Sequence, residues 1–266
     1  MKTWLAKICG VVMTGALALG FAGAAQAGKL EDIQSAGVLK VGIGLSGEPI
    51  GFRDAQNNPV GYDVDVAKKL ADALGVKLDI TDVTGAARIT MLQSGQIDVA
   101  IANMTATVER AKAVDFSLPY LRTGIKLLVR KDASIKSLAD LAGKKVVVGR
   151  GTTGELLIKR EVPKAELVYT DAFQPQAILL LNQKRAEAAI EDSTMIDYAA
   201  LKNPDLQALT ETYTADPIAM GVAKGDLEFV RFLDMFVSRY INGGDYQANY
   251  THWFGQPGPQ LNTAPW

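Results

Sequence analysis

The stretch from Ile97 to Tyr120 reads IDVAIANMTATVERAKAVDFSLPY, and it decides the fold class and the first candidate site. Its first five residues, Ile97–Ile101, form an apolar, β-branched run that is typical of a buried strand. A polar, helix-compatible segment follows, and the Thr107 hydroxyl is suited to cap its first turn. The sequence thus predicts a strand end that brings free backbone N–H groups, Thr107 and Arg110 together.

This group of donors favours an anionic ligand. Backbone N–H groups at a helix N-terminus attract negative charge. The guanidinium of Arg110 adds a planar fork of donors that matches a carboxylate. We therefore predict a carboxylate-binding site here, while a surface arginine beside a capped helix remains an equal alternative.

Strand and helix patterns alternate on both sides of this stretch. Before it, Val38–Gly44 has a strand pattern, and Gly61–Leu74 is amphipathic and ends at Gly75. Beyond Tyr120 the alternation starts again and continues to a last long amphipathic segment, Leu227–Tyr240. Short strands between helices indicate an α/β fold with mostly parallel sheets.

The first 27 residues have the pattern of a signal peptide. Lys2 and Lys7 precede an apolar run, and Ala25–Gln26–Ala27 is a small-x-small cleavage site. The run is shorter than the roughly 20 residues of a membrane span. We therefore predict cleavage after Ala27 and a soluble, exported chain of 239 residues, long enough for one large domain or two lobes.

Composition excludes several classes of function. Without the first 27 residues, 26 basic residues face 29 acidic ones, which argues against nucleic acid or an anionic membrane as partner. That part of the chain has no cysteine and a single histidine, His252. Metal sites and His-based catalysis usually need more than this, so we predict no metal and no cofactor.

Two further signals lie in the second half. Lys145–Glu155 combines a strand, a Gly-rich turn and a helix start, an arrangement that exposes N–H groups to an anion. Ala188–Asp192 is a strand that ends on two carboxylates, Glu191 and Asp192. Ligands of parallel α/β sheets gather beyond the carboxyl ends of strands, so Asp192 could bind an ammonium group. A helix cap is the simpler alternative for Asp192.

Five motifs occur in order: GYDVDV at 61–66, LQSGQID at 92–98, TVER at 107–110, VDFSLPY at 114–120 and GTT at 151–153. Together they resemble the periplasmic solute-binding proteins of family 3, the polar amino-acid receptors of ABC importers. The resemblance covers Val38 to Phe254, nearly all of the exported chain.

The resemblance implies a two-lobed periplasmic-binding-protein fold of type II. Each lobe is expected to be a mostly parallel sheet flanked by helices. Residues 28–119 and 219–255 would form lobe 1, and residues 125–213 lobe 2. Hinge crossings would fall at 120–124 and 214–218. Residues 256–266, rich in Pro, Gly and polar residues, are expected to be a flexible tail.

The resemblance also assigns roles to residues at matching positions. Arg110 would hold the ligand α-carboxylate, with help from Thr105 and from the backbone at Asn103 and Met104. Thr153 would add a donor from the second lobe. Asp192 would bind the α-ammonium. Because both lobes contribute, ligand binding can be coupled to closure.

The side-chain subsite departs from many relatives. Pro49 or Ile50 stands where relatives have an aromatic shelf, and Gly85 replaces a frequent Phe, which disfavours large flat side chains. Arg88 falls where receptors for acidic amino acids can carry an arginine, and Arg150 precedes the GTT turn. Two guanidinium groups would favour a carboxylate or carboxamide. A structural role for both arginines is an equal alternative.

The resemblance implies a monomeric periplasmic protein that delivers a polar L-amino acid to an ABC permease with its ATPase subunit. The two arginines favour an amino acid whose side chain is a carboxylate or a carboxamide. A cyclohexadienyl dehydratase-like enzyme on the same fold is the alternative. Asp192 at the ammonium position favours an amine ligand over prephenate. A sensory receptor domain is disfavoured by the lack of a membrane segment.

Overall fold

The computed structural model describes residues 28–261, in which helices pack against the faces of two sheets. The predicted signal peptide and the last five residues of the predicted tail lie outside this part of the chain. The described residues form eight α-helices: α1 (Lys29–Ala36), α2 (Tyr62–Leu74), α3 (Arg88–Gln93), α4 (Thr153–Glu161), α5 (Phe173–Asn182), α6 (Ser193–Lys202), α7 (Leu227–Asn242) and α8 (Asp245–Phe254).

Two 3₁₀ turns, Arg110–Lys112 and Leu138–Leu141, complete the helical part. None of the helices within residues 28–261 is long and apolar enough to cross a membrane. The same part of the chain has twelve strands: β1 (Val38–Ile43), β2 (Phe52–Arg53), β3 (Pro59–Val60), β4 (Lys77–Asp82), β5 (Val99–Ala100), β6 (Val114–Thr123), β7 (Ile125–Arg130), β8 (Lys145–Gly149), β9 (Glu166–Thr170), β10 (Ala188–Asp192), β11 (Leu206–Ala208) and β12 (Asp216–Ala223).

Ten strands build two five-stranded sheets, one for each lobe. The first has the order β4-β1-β5-β12-β6 and the second β11-β7-β10-β8-β9. In the first, β1 is parallel to β4 and β5, but β12 is antiparallel to β5 and β6. In the second, β8 is parallel to β9 and β10, but β7 is antiparallel to β10 and β11.

The predicted two-lobed α/β fold is confirmed: in each sheet four of the five strands run in the same direction, and one strand, β12 or β7, runs against them. Parallel neighbours need a long crossover within one lobe, usually through a helix. The strand β12 instead follows β11 of the second sheet, and it therefore enters the first sheet against the direction of β5 and β6.

Two long strands connect the lobes. Only Gly124 separates β6 from β7 of the second sheet. The pairing of β12 with β6 begins at Asp216 opposite Thr123. A Cβ atom on Gly124 would lie 2.1 Å from the Thr214 carbonyl oxygen, so only glycine fits this crossing. Gly124 and Thr214 thus approach each other where the chain passes between the two sheets, and the hinge role of segments 120–124 and 214–218 stays a prediction.

Helix α2 forms as its periodicity predicts. Val64, Ala67 and Leu70 are fully buried on one face, and Gly75 ends the helix with φ of 69°. Glycine adopts this left-handed conformation without a steric penalty, so the predicted stop at Gly75 is confirmed.

Residues 256–261, in the segment predicted to be a flexible tail, are held against α8. The Tyr246 hydroxyl donates to the Pro259 carbonyl at 2.9 Å. Gln247 exchanges two hydrogen bonds with the Gly258 backbone, at 3.0 and 2.9 Å. These hydrogen bonds place this part of the tail on α8, and its flexibility stays a prediction.

Asp63 is a fully buried carboxylate in the first turn of α2. It accepts hydrogen bonds from the Asn103 N–H group at 2.7 Å and from the Tyr120 hydroxyl at 2.9 Å. Burial raises the pKa of Asp63 to about 7, although these two hydrogen bonds act in the opposite direction. Asp63 thus joins α2 to β6 and to the loop that follows β5.

We expect Asp63→Ala to destabilise the fold strongly. The substitution leaves two buried donors without an acceptor, and each such group costs about 1–3 kcal/mol. Chemical denaturation should show a free energy of unfolding lower by about 2–6 kcal/mol. The matched control is Asp72→Ala, which removes an exposed carboxylate from the same helix. Equal stability of the two variants would contradict this role of Asp63.

Candidate functional site

The candidate site is a cleft between the two lobes, with a volume of about 70 Å³. A buried water needs roughly 10–15 Å³ on this measure, so the cleft suits a small molecule. Seven of the nine residues predicted for the site line this cleft: Ile50, Arg88, Asn103, Thr105, Arg150, Thr153 and Asp192.

Asn103 and Asp192 meet across the cleft. Asn103 follows β5 and Asp192 is the last residue of β10. The Asn103 Nδ2 donates to Asp192 Oδ2 at 2.5 Å. The amide oxygen of Asn103 and the second carboxylate oxygen of Asp192, both Oδ1, are buried and have no hydrogen-bond partner among residues 28–261. Two buried acceptors in one place suit a cation with several N–H groups, such as an ammonium.

The electrostatic surroundings of Asp192 also favour a bound cation. Burial raises the pKa of Asp192 well above its usual value, and the negative charges of Glu191 and Asp216 raise it further. The positive charges of Arg88 and Arg110 oppose this shift. A bound cation at Asp192 would favour its ionised form for the same electrostatic reason.

Arg110 joins the two lobes at another point of the cleft. Its guanidinium donates to the Thr105 carbonyl at 2.8 Å and to the Gly151 carbonyl at 3.0 Å. A guanidinium has five N–H donors, so others remain for a ligand. Arg110 is buried and lies beside the lining residues rather than among them. Burial lowers the pKa of Arg110, while Asp192 opposes the change.

The Thr107 hydroxyl accepts a hydrogen bond from the Arg110 N–H group at 3.2 Å, as predicted for a cap. The segment that it caps is a single 3₁₀ turn rather than a longer helix. This turn orients Arg110 toward the carbonyls of both lobes.

Two threonines add hydroxyl groups close to Arg110. Thr105 Oγ1 lies 3.4 Å from Thr153 Oγ1 across the cleft. Thr153 is the first residue of α4, so its N–H group has no acceptor within the helix. The Gly151 N–H group, by contrast, donates to Glu155 Oε2 at 2.6 Å. Only part of the Gly-rich turn is therefore available to an anion.

The structure does not bring the Met104 side chain to the cleft. Met104 is fully buried in an apolar cluster with Leu92 and Val114. Asn103 and Thr105 line the cleft, while the Met104 side chain faces the core. The contribution of the Met104 backbone to carboxylate binding stays a prediction.

The two predicted side-chain arginines have different surroundings. Arg88 begins α3, is 5% exposed and donates to the Ala102 carbonyl at 2.7 Å. Its Nε atom is buried without a hydrogen-bond partner in the described chain. Burial lowers the pKa of Arg88 to about 9, and Arg110 contributes to this change. Arg150 is exposed, and its guanidinium carbon lies 4.1 Å from the centre of the Tyr169 ring.

Glu191 also lines the cleft, although sequence reasoning selected only its neighbour Asp192. It is buried, and its Oε1 accepts from the Asp192 N–H group at 3.2 Å. Burial raises the pKa of Glu191 to about 7, against the effect of the Asp192 hydrogen bond. The sequence signal that could have identified Glu191 as a cleft residue is the pair of adjacent carboxylates at the end of a predicted strand. Phe173 and Met195 complete an apolar wall with Ile50.

A third contact closes the other edge of the cleft. The Gln174 amide donates to the Glu48 carbonyl and accepts from the Glu48 N–H group, both at 2.8 Å. The Gln174 N–H group donates to the Ser46 carbonyl at 3.1 Å. The lobes therefore meet on both sides of the lining residues.

Comparison with known proteins agrees with this architecture. The family model for bacterial extracellular solute-binding proteins, family 3, matches residues 39–256. The chain belongs to this family. All residues that line the cleft fall within the matched range.

A curated relative, the glutamine-binding protein of Geobacillus stearothermophilus, is 32% identical over 209 residues, which cover 77% of this chain and 79% of the relative. A solved mutant of ArgBP from T. maritima is 36% identical with a TM-score of 0.82, covering 86% of this chain and 100% of that one. A solved ancestral amino acid-binding protein, described as a precursor of cyclohexadienyl dehydratase, is 34% identical with a TM-score of 0.80, covering 85% and 99%.

We expect Gly85→Ala to hinder closure of the cleft. A Cβ atom at this position would lie 2.8 Å from the Arg150 carbonyl oxygen of the opposite lobe, which is too close. Ligand affinity should fall at least tenfold, while the melting temperature of the ligand-free protein changes little. Titration calorimetry and thermal melts measure the two quantities. Unchanged affinity would show that the two loops do not approach in the bound state.

Proposed function

We propose that this chain is an extracytoplasmic solute-binding protein that captures a polar L-amino acid between its lobes and delivers it to an ABC importer. The observation that carries the proposal is the pair of unpartnered acceptors on Asn103 and Asp192, close to the donors of Arg110. An α-amino acid presents an ammonium and a carboxylate on neighbouring atoms, so it matches both groups. The names of the glutamine-binding and ancestral amino acid-binding relatives support it.

The proposed roles follow from the donors and acceptors. Asp192 and Asn103 bind the α-ammonium. Arg110, Thr105 and Thr153 bind the α-carboxylate. Because Asn103 and Asp192 lie on opposite lobes, as do Thr105 and Thr153, the ligand stabilises the closed arrangement more than an open one.

We further propose the division of the chain in which closure takes place. Residues 28–119 and 219–255 form lobe 1, residues 125–213 form lobe 2, and the crossings at 120–124 and 214–218 act as hinges. The signal peptide is cleaved after Ala27, and the monomer works in the periplasm with a permease and its ATPase subunit.

The side chain of the ligand is proposed to be acidic or an amide. Arg88 lines the cleft with a free Nε–H donor, and Arg150 lies at its rim. Gly47, Ile50 and Gly85 provide no aromatic ring from lobe 1, although Phe173 of lobe 2 lines the cleft. A thermal-shift screen of the twenty amino acids tests this class directly, since ligand at 100 times its dissociation constant stabilises by about 2.7 kcal/mol.

A dehydratase-like enzyme is the second candidate, and Glu191 is the observation that favours it. A buried carboxyl with a raised pKa can act as a general acid in a cleft. The ammonium-type site at Asp192 does not suit prephenate, which has no amine. Consumption of prephenate by the purified protein, in the absence of amino-acid binding, would establish the enzyme and overturn the proposed transport role.

We expect Asp192→Ala to weaken amino-acid binding at least a hundredfold. Leaving a desolvated ammonium without its partner costs about 3–5 kcal/mol, and about 1.4 kcal/mol corresponds to tenfold. Calorimetry with the preferred amino acid measures the loss. Asp205→Ala, at an exposed aspartate of the same lobe, is the control. Affinity within a few-fold of wild type would remove Asp192 from the site.

We expect Arg110→Lys to bind the amino acid much more weakly while it folds normally. A lysine ammonium cannot reproduce the planar fork that holds a carboxylate and two carbonyls together. Arg122→Lys, at an exposed arginine on β6, provides a matched control. If Arg110→Lys binds as wild type does, the α-carboxylate lies elsewhere.

A further inference from the structure

Among the residues that line the cleft, one buried positive and one buried negative group remain beyond those assigned to the α-ammonium and α-carboxylate, while Arg150 and Asp171 are exposed. Arg88 comes from α3 of lobe 1 and Glu191 from β10 of lobe 2, and both line the cavity. Arg88 is 5% exposed and Glu191 is 6% exposed. The guanidinium nitrogens of Arg88 and the carboxylate oxygens of Glu191 are more than 4.0 Å apart, so no direct ion pair joins the two residues.

Arg88 keeps a hydrogen-bond donor, and Glu191 keeps a hydrogen-bond acceptor. Arg88 uses one terminal nitrogen on the Ala102 carbonyl, and its buried Nε–H donor has no acceptor within residues 28–261. Glu191 uses Oε1 on the Asp192 N–H group. Its Oε2 accepts from no donor in the described part of the chain. Gly149 lies close to this oxygen, since a Cβ there would be 3.3 Å from Oε2 and 2.9 Å from Thr152 Cγ2, so a larger residue would crowd the carboxylate.

We propose that Glu191 and Arg88 together read the ligand side chain and select a neutral carboxamide over the corresponding acid. This inference rests on the proposed function and narrows its ligand class. The amide carbonyl accepts from Arg88 Nε–H, and the amide NH₂ group donates to Glu191 Oε2. A carboxamide offers one acceptor and one donor, so it satisfies both groups at once.

Other side chains satisfy only one of the two groups. A carboxylate accepts from Arg88 but places a second negative charge beside Glu191. A guanidinium or ammonium donates to Glu191 but stands beside the positive charge of Arg88. Discrimination therefore comes as much from repulsion of the wrong ligand as from attraction of the right one.

Charge balance supports the same choice. Arg88 and Arg110 carry two positive charges, and ionised Glu191 and Asp192 carry two negative charges. A zwitterion with a neutral side chain keeps the cleft neutral, whereas an uncompensated charge in a buried site is unfavourable. The Arg150 guanidinium is exposed and stacked on Tyr169, so solvent screens its effect on this balance.

The test is a set of dissociation constants at pH 8 for glutamine, asparagine, glutamate, aspartate and arginine. Wild-type protein, stripped of ligand, should bind the preferred amide at least tenfold more tightly than the matching acid. Glu191→Gln should raise the affinity for the acid relative to that for the amide at least tenfold, because it removes the repulsion of the acid and the charge that the amide NH₂ group faces. Glu166→Gln, which neutralises an exposed carboxylate on β9, should leave every constant unchanged.

A second measurement needs no variant and applies if Glu191→Gln fails to fold. The Glu191 carboxyl is influenced by Arg88 from α3, Arg110 from the 3₁₀ turn and Asp192 on its own strand. Lowering the pH from 8 to 6 protonates Glu191, which removes the repulsion and lets the carboxyl donate to an acid. The affinity for the acid relative to that for the amide should therefore rise over this range, and any titration of Asp192 cancels in this ratio because both ligands share the α-ammonium.

The outcomes separate this inference from the proposed function. A wild-type protein that binds amino acids but prefers the acid at pH 8 overturns the role of Glu191 and leaves the transport role in place. The same holds if Glu191→Gln leaves the ratio of acid to amide affinity unchanged, or if this ratio does not respond to pH. A protein that binds none of the amino acids overturns both.

Discussion

The hydrogen bond between Asn103 and Asp192 is the interaction on which the rest of the site depends. It joins the lobes at 2.5 Å and leaves one acceptor of each side chain facing the same place. Asn103 is held in turn by Asp63, whose carboxylate accepts from its backbone N–H group. The cation site is thus fixed by a chain of contacts that runs from α2 through the cleft to β10.

Burial of four ionisable groups makes the closed cleft sensitive to what it contains. Arg88, Arg110, Glu191 and Asp192 are all shifted by desolvation toward their neutral forms. Direct contacts among them do not relieve this, because the arginines donate mainly to backbone carbonyls. A zwitterionic ligand supplies the missing opposite charges from both lobes, which gives a physical reason for coupling its binding to closure.

The sequence predicted the elements whose signals are local. The periodicity of α2 and the stop at Gly75 depend on neighbouring residues, and both are present. The strands β6 and β12 were read only as hinge segments, because their length comes from pairing with each other across almost a hundred residues. The mixed sheets have the same origin, since strand direction here depends on which lobe the chain has just left.

The candidate site was predictable to a similar degree. Asn103, Thr105, Thr153 and Asp192, chosen from motif positions, all line the cleft, whereas the side chain of Met104, between Asn103 and Thr105, faces the core.

Glu191 shows where local reasoning ends. Side chains alternate along a strand, so a strand reading allows only one of two adjacent carboxylates to face a ligand. Here β10 ends at Asp192 and α6 begins at Ser193, so the alternation stops at this residue and both side chains line the cleft. The role proposed for the second carboxylate, Glu191, depends on the opposing lobe, because that lobe brings Arg88 to the same cavity. A strand terminus next to a helix start can therefore present two acidic groups to one ligand, and the charge on the facing lobe determines which chemistry they select.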